Sequence, residues 1–198
     1  MSYRNIALMG KARSGKDEVG KRLVSAFSFT RIAFADPLKG MALSLDPIVS
    51  GESGTHGYYS YRLSDVIRRH GWETAKVRFP EIRRTLQRLG HTVRTHDADY
   101  WVNVAMDKIH VADTWNLPVV VTDVRYPNEA EALKARGFLL VRVERPTPGL
   151  ADMTLAEIGH ASHVSETALD DYPADRTLIN TGTLPQLHCA VDELISPR

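Results

Sequence analysis

The rhythm of polar and apolar positions changes several times along the chain. Residues 3–10, "YRNIALMG", gather their apolar side chains into a short run ending on glycine, which predicts a short buried strand. In "GKDEVGKRLVSAF" the apolar positions Val19, Leu23, Val24 and Phe27 recur at helical spacing. "TRIAFA" predicts a second strand. "DPLKGMALSL" predicts a second helix, with Asp36 at its cap and Pro37 in its first turn. Residues 46–60, "DPIVSGESGTHGYYS", are dense in turn formers and predict a mobile loop. Three helical patterns with no clear strand fill residues 61–112. "LPVVVTD" is then a Val-rich run typical of a fully buried parallel strand. "NEAEALKARG" predicts a helix stopped by Gly137, "FLLVRVER" a fourth strand, "RTLIN" a fifth and "LPQLHCAVDELI" a last helix.

Strands alternating with helices predict an α/β fold, a five-stranded parallel sheet flanked by helices in three layers. The same pattern divides the chain. Residues 1–45 and 113–198 form the sheet core, 46–112 a helical insertion, and the polar excursion 146–166 a lid.

Composition narrows the chemistry only a little. The 198 residues are 43% hydrophobic and 25% charged, as in ordinary globular proteins. A net charge of +1 gives no global attraction to nucleic acid or to a membrane. No apolar run approaches the roughly 18 residues of a membrane span, and no segment reads as a signal peptide. Neither a stable nucleic-acid partner nor a membrane is expected, and a homodimer stays open. The single cysteine, Cys189, fits a reducing cytoplasm and reads as a core residue of the last helix. Arginine outnumbers lysine, 18 to 7, which suits phosphate recognition or reflects base composition.

The chemistry concentrates in "GKARSGKD". Gly10, Gly15 and Lys16 have the spacing of a phosphate-cradling P-loop, between a predicted strand and a predicted helix. The backbone of Gly10, Lys11, Ala12, Arg13, Ser14 and Gly15 would turn its amides inward, and Lys16 would reach the β- and γ-phosphates. The position after the lysine usually carries Ser or Thr. Here it is Asp17, followed by Glu18. Asp17 reads either as an oxygen donor to Mg²⁺ or as an acid in the first helical turn that favours the dipole. Glu18 reads as a solvated helix residue.

Asp123 ends "VVVTD", where a carboxylate either holds Mg²⁺ or its waters or caps the strand. Arg125 follows it. Asp36 and Lys39 stand one helical turn apart after the second strand. "EIRRTLQRLGHTVR" supplies Arg83, Arg84, Gln87, Arg88 and Arg94. Arg83 and Gln87 are neighbours on one helix face, a cation for phosphate and an amide for a base edge, or part of a solvated basic face. Tyr100 and Trp101 could stack on a base, or Trp101 belongs to the core of the insertion. His160 and His163 lack a third ligand, so no zinc site is predicted.

Together these segments resemble the deoxynucleoside monophosphate kinases of bacteriophages, within the adenylate-kinase-like P-loop superfamily. The resemblance rests on "GKARSGKD", "FADPLK", "RRTLQRLG" with a later "DYW", "TDVRYPNEAEALKARG", "HVSE" and "LINTGTLPQL", in that order. It implies transfer of a phosphoryl group from ATP to a deoxynucleoside monophosphate with Mg²⁺, in the cytoplasm of an infected bacterium. Asp17 after the lysine is usual in that family, while its frequent following Thr is replaced by Glu18. The resemblance further implies that Lys16 and the loop amides hold ATP, with Glu18 at the end of the loop. Asp17 and Asp123 would organise Mg²⁺, with Asp36 near its waters. Lys39, Arg83 and Arg125 would grip the acceptor phosphate, with Gln87, Arg94 and Trp101 around the acceptor. Arg145 would close on the transferring phosphoryl, and Asn180 and Gly182 would line the adenine. A kinase of a non-nucleotide phosphate such as phosphomevalonate shares the "SGKD" loop and is one alternative. A nucleotide-dependent nucleic-acid-binding protein is another.

Overall fold

The computed structural model describes residues 3–55, 57–146 and 167–195. Five short strands form one parallel sheet: β1 (Ile6–Met9), β2 (Thr30–Ile32), β5 (Val119–Val124), β6 (Leu139–Glu144) and β7 (Arg176–Ile179), in the order β2-β5-β1-β6-β7. β1 is central. Ile6 pairs with Val120 of β5 on one side and with Leu139 of β6 on the other. The strand order therefore reverses at β1, and the carboxyl end of β1 is where such sheets bind ligands. All four β1 residues are buried, which is why the run reads as continuously apolar.

Helices α1 (Lys16–Phe27) and α7 (Leu184–Ile195) cover one sheet face. Val19 and Leu23 of α1 and Leu187 and Val191 of α7 pack with Ile6, Leu8, Val120, Val141 and Val143. Residues of opposite parity, Ala7, Met9, Val121 and Leu140, are equally buried. Helix α6 (Pro127–Ala135) contacts β6, and α5 (Tyr100–Thr114) and α6 bury Ala105, Ile109 and Leu133. Cys189 is exposed, not core. It stands two residues from both Leu187 and Val191, off the apolar stripe of α7.

The Arg22 fork ties α1 to α7. Its Nε donates to Asp192 Oδ1 at 2.9 Å and its Nη2 to Oδ2 at 2.6 Å. The Arg22 hydrogen bond holds the Asp192 carboxyl below the usual carboxylate range, against a weaker opposing effect of burial. A lowered folded-state pKa gives stability that is present above the unfolded pKa and is lost as pH falls through the folded value. Asp192→Asn is therefore expected to be less stable than the native chain at neutral pH. In urea melts at decreasing pH the difference should vanish below the ordinary carboxylate range.

The chain divides into two compact units, one holding residues up to Phe34 and from Val102 onward, the other Ala35–Trp101. The second unit contains α2 (Ala35–Leu45), β3 (Ile48–Gly54), β4 (Gly57–Arg62), α3 (Leu63–Arg78) and α4 (Pro80–His96). Its core is Ala42, Val49, Leu63, Val66, Ala75 and Ile82. The unit starts at α2, earlier than position 46, because α2 packs with α3 and α4. It ends before 112, because α5 beyond Trp101 belongs with the sheet.

Residues 46–60 are not a loop. β3 and β4 pair as an antiparallel hairpin, with Ser50 opposite Tyr61 and Glu52 opposite Tyr59. Within β3 only Val49 is buried, so the strand carries no apolar alternation to betray it. The proposed lid at 146–166 lies outside the described residues except for Pro146, and with it His160, His163, Ser165 and Glu166.

Candidate active site

The loop from Gly10 to Gly15 joins the carboxyl end of β1 to α1, the strand–loop–helix setting that a phosphate cradle requires. Two glycines make its path possible. Gly10 has φ 136°, and a Cβ there would run into the Val143 carbonyl oxygen. Gly15 has φ 106° and precedes the first residue of α1; a Cβ there would lie 2.5 Å from Asn180 Nδ2. Gly15→Ala is expected to cost about 1–3 kcal/mol through backbone strain, read as a lower urea midpoint.

Lys16 opens α1 and is buried. Its ammonium donates to the Gly10 and Lys11 carbonyls, both at 2.6 Å, so it lies across the loop it would serve. Ser14 is buried too, and its Oγ has no partner among the described residues. A buried hydroxyl without a partner costs about 1–3 kcal/mol, and an anion in the loop is one way to satisfy it. Lys11 pairs with Asp170 at 3.2 Å, and Arg13 takes a left-handed conformation at φ 62°. Ala12 and Arg13 are exposed.

Asp17 is exposed in the first turn of α1. Glu18 is engaged along the helix, accepting from Lys21 at 2.6 Å and raising the Lys21 pKa. Asp123 is half-buried at the end of β5, and its Oδ1 accepts the Phe34 amide at 2.8 Å, joining the ends of β5 and β2. Arg125 follows, its backbone amide held by the buried Glu129 carboxylate at 2.8 Å. Glu129 also accepts the Tyr126 amide at 3.2 Å, which fixes the entry to α6. Among the described residues no three His, Cys, Asp or Glu side chains gather into a metal cage.

Asn180, expected at the adenine, lies behind the phosphate loop. It is buried, and its Nδ2 donates to the Ser14 carbonyl at 3.0 Å. It braces the loop from behind through that amide. Gly182 leads into α7, where Gln186 Oε1 accepts the Thr183 amide at 2.7 Å in the manner of a capping box. Sequence reading passed over that "TLPQ" signal. Arg145 is exposed just beyond β6.

In the second unit, Arg83, Gln87 and Arg94 recur at i, i+4 and i+11 on α4, which puts them on one stripe. Gly90 lies on that stripe, and a Cβ there would meet Leu38 of α2 at 3.3 Å. The stripe thus faces the helix that carries Asp36 and Lys39. Arg83 Nε is buried with no partner among the described residues. Arg84 and Arg88 are exposed and pair with Glu81, at 3.4 and 3.6 Å. The five polar residues of this segment thus separate into an inward set and a solvated set. Lys39 lies 3.5 Å from Asp36, with its ammonium 5.8 Å from the Trp72 ring centre.

Of the two places expected for Trp101, the structure gives it the core. It is 3% exposed, its indole N–H donates to the Gly90 carbonyl at 3.4 Å, and Tyr100 meets it edge-on. Trp72 and Glu73, which sequence reading did not single out, are the neighbours of Lys39.

Residues 74–191 match the family described as deoxynucleotide monophosphate kinase. A mimivirus protein named "Putative deoxynucleotide monophosphate kinase" (Acanthamoeba polyphaga mimivirus) is 26% identical over 94% of this chain and 93% of its own. Two proteins of Ictalurid herpesvirus 1 (strain Auburn), "Uncharacterized protein ORF77" and "Uncharacterized protein ORF76", are 37% and 32% identical over 53% and 52% of the chain. The matches span 44% and 41% of those two proteins, less than half their length. These relatives are viral, from a herpesvirus and a mimivirus, where the sequence resemblance pointed to bacteriophages. The structure of TT1252 from Thermus thermophilus covers 98% of this chain and 97% of its own at 19% identity. Its TM-score of 0.49 adds nothing to the topology described above.

Proposed function

The chain belongs to the deoxynucleotide monophosphate kinase family, and on that premise we propose that it moves the γ-phosphoryl of ATP onto the phosphate of a deoxynucleoside monophosphate, giving ADP and the diphosphate. The observation that carries this reading is Arg83. A buried guanidinium nitrogen without a described partner, on a stripe with Gln87 and Arg94, suits a phosphate attached to a base. A transfer between two phosphates needs that second anion site as well as the loop around Lys16.

In this reading Lys16 and the loop amides hold the donor phosphates, while the α1 dipole favours their charge. Lys39, Arg83 and Arg125 bind the acceptor phosphate, and Arg94 adds charge. Asp36, 3.5 Å from Lys39, orients that lysine. Arg145 neutralises the moving phosphoryl. Asn180 and Gly182 line the adenine edge. The acceptor oxygen is already nucleophilic, so positioning and charge neutralisation carry the rate.

Magnesium suits Asp17 and Asp123. It takes hard oxygens, keeps several waters, and is commonly held by one or two carboxylates together with substrate phosphates. When bound it would neutralise charge on the donor phosphates.

The family favours a nucleotide over phosphomevalonate as acceptor. The test is ADP release from ATP–Mg²⁺ with dAMP, dGMP, dCMP, dTMP, their ribonucleotides and phosphomevalonate, against ATP alone. ADP formed only with deoxynucleotides supports the proposal. ADP formed equally without acceptor, or only with phosphomevalonate, overturns it.

A further inference from the structure

Helix α3 changes course at Gly71, which has φ 69° and ψ 166°. Nothing lies within 4 Å of where its Cβ would be, so the glycine serves the backbone and not the space around it. Trp72 and Glu73 follow directly. Trp72 packs on the core of the second unit, and the Lys39 ammonium sits 5.8 Å from its ring centre, within cation–π range. The Lys39 side chain is only 23% exposed, so little water competes for that contact. Burial raises the Glu73 pKa, yet the hydrogen bond from Lys76 and the charges of Lys76, Lys39 and Arg83 hold it below the usual range. Lys39 stands on α2 and Arg83 on the α4 stripe whose Gly90 meets Leu38 of α2, so the two cations come from facing helices. A lysine ammonium on a flexible stem binds phosphate well only when something fixes it.

We propose that Trp72 is a positioning residue for the acceptor. Its ring fixes the Lys39 ammonium on the helix facing that of Arg83, so that both cations meet one phosphate. Trp72 itself does not touch the nucleotide. The inference rests on the acceptor reading above and adds a residue that acts through Lys39.

The test is calorimetric binding of dAMP, dGMP, dCMP, dTMP and ATP to the native chain, Trp72→Met, Trp72→Phe, Lys39→Met and the Trp72→Met/Lys39→Met double variant. Trp72→Met should weaken binding of the accepted deoxynucleotide about 3- to 30-fold, the span of cation–π energies, and leave ATP binding unchanged. Trp72→Phe keeps a ring and should recover most of the loss. Once Lys39 is gone, adding Trp72→Met should cost nothing more. Should Trp72→Met not fold, the comparison of Trp72→Phe in the native and Lys39→Met backgrounds decides. A small loss confined to the native background supports the proposal, and equal losses in both overturn it. Equal weakening of ATP and deoxynucleotide, or a methionine variant as good as phenylalanine, also overturns it. Failure of the native chain to bind any of the four deoxynucleotides overturns the acceptor reading itself.

Discussion

Lys16→Met is expected to lower kcat/KM for phosphoryl transfer about 10²- to 10³-fold, comparable to losing a fully preorganised donor to a developing charge. Three features concentrate the effect there. Lys16 is the first residue of α1, where the helix dipole already favours anions. It is buried, so its charge acts through little water. Its ammonium already lies across the loop, 2.6 Å from two loop carbonyls, so little reorganisation separates it from a phosphate bound there. Methionine keeps most of the apolar stem, and the packing of β1 and α1 rests on Ile6, Leu8, Val19 and Leu23. Circular dichroism and the urea midpoint should therefore stay near native while turnover collapses. Near-native turnover would remove the donor site from the loop.

The sheet was legible because its strands are buried on both faces. "IALM" and "VVV" cannot be mistaken for amphipathic segments when every side chain is covered. The hairpin was not legible for the opposite reason. Tyr58 and Tyr59 are exposed, Val49 alone in β3 is buried, and exposed Ile48, Glu52, glycines and serines fill the rest. Its pairing comes from backbone hydrogen bonds, which leave no periodic trace in the sequence. Helix α2 was legible as a helix but not as part of the second unit. An apolar stripe tells which face is covered and not by what. Val24, at helical spacing with Val19 and Leu23, is 39% exposed for the same reason.

The site divides along the same line. Spacing located the phosphate loop, since Gly10, Gly15 and Lys16 act through local backbone geometry. It could not show that Asn180, named through the resemblance, lies behind Ser14, because 166 residues separate them. It left Trp101 open between base stacking and the core, where its 3% exposure now places it, and it did not reach Trp72 beside Lys39. The break at Gly71 could have drawn attention to Trp72. A glycine inside a helical pattern costs about 1 kcal/mol relative to alanine and usually has a reason.

Replacing Arg83 offers the sharper separation of roles. Arg83→Met is expected to raise the KM for the deoxynucleotide about 10- to 100-fold, the worth of a charge-assisted hydrogen bond, with the KM for ATP little changed. Arg83→Lys should recover only part of this, since a point charge cannot reproduce a planar fork on phosphate. The control stands next to it in sequence. Arg84 is exposed and spends its charge on Glu81 at 3.4 Å, and exposed pairs of this kind contribute little. Arg84→Met should therefore leave both KM values near native. Two arginines one residue apart would then differ in effect by more than tenfold, because helical geometry turns one inward and the other to solvent. Equal effects at the two positions would mean that α4 acts as a charged face and not through the inward-facing Arg83.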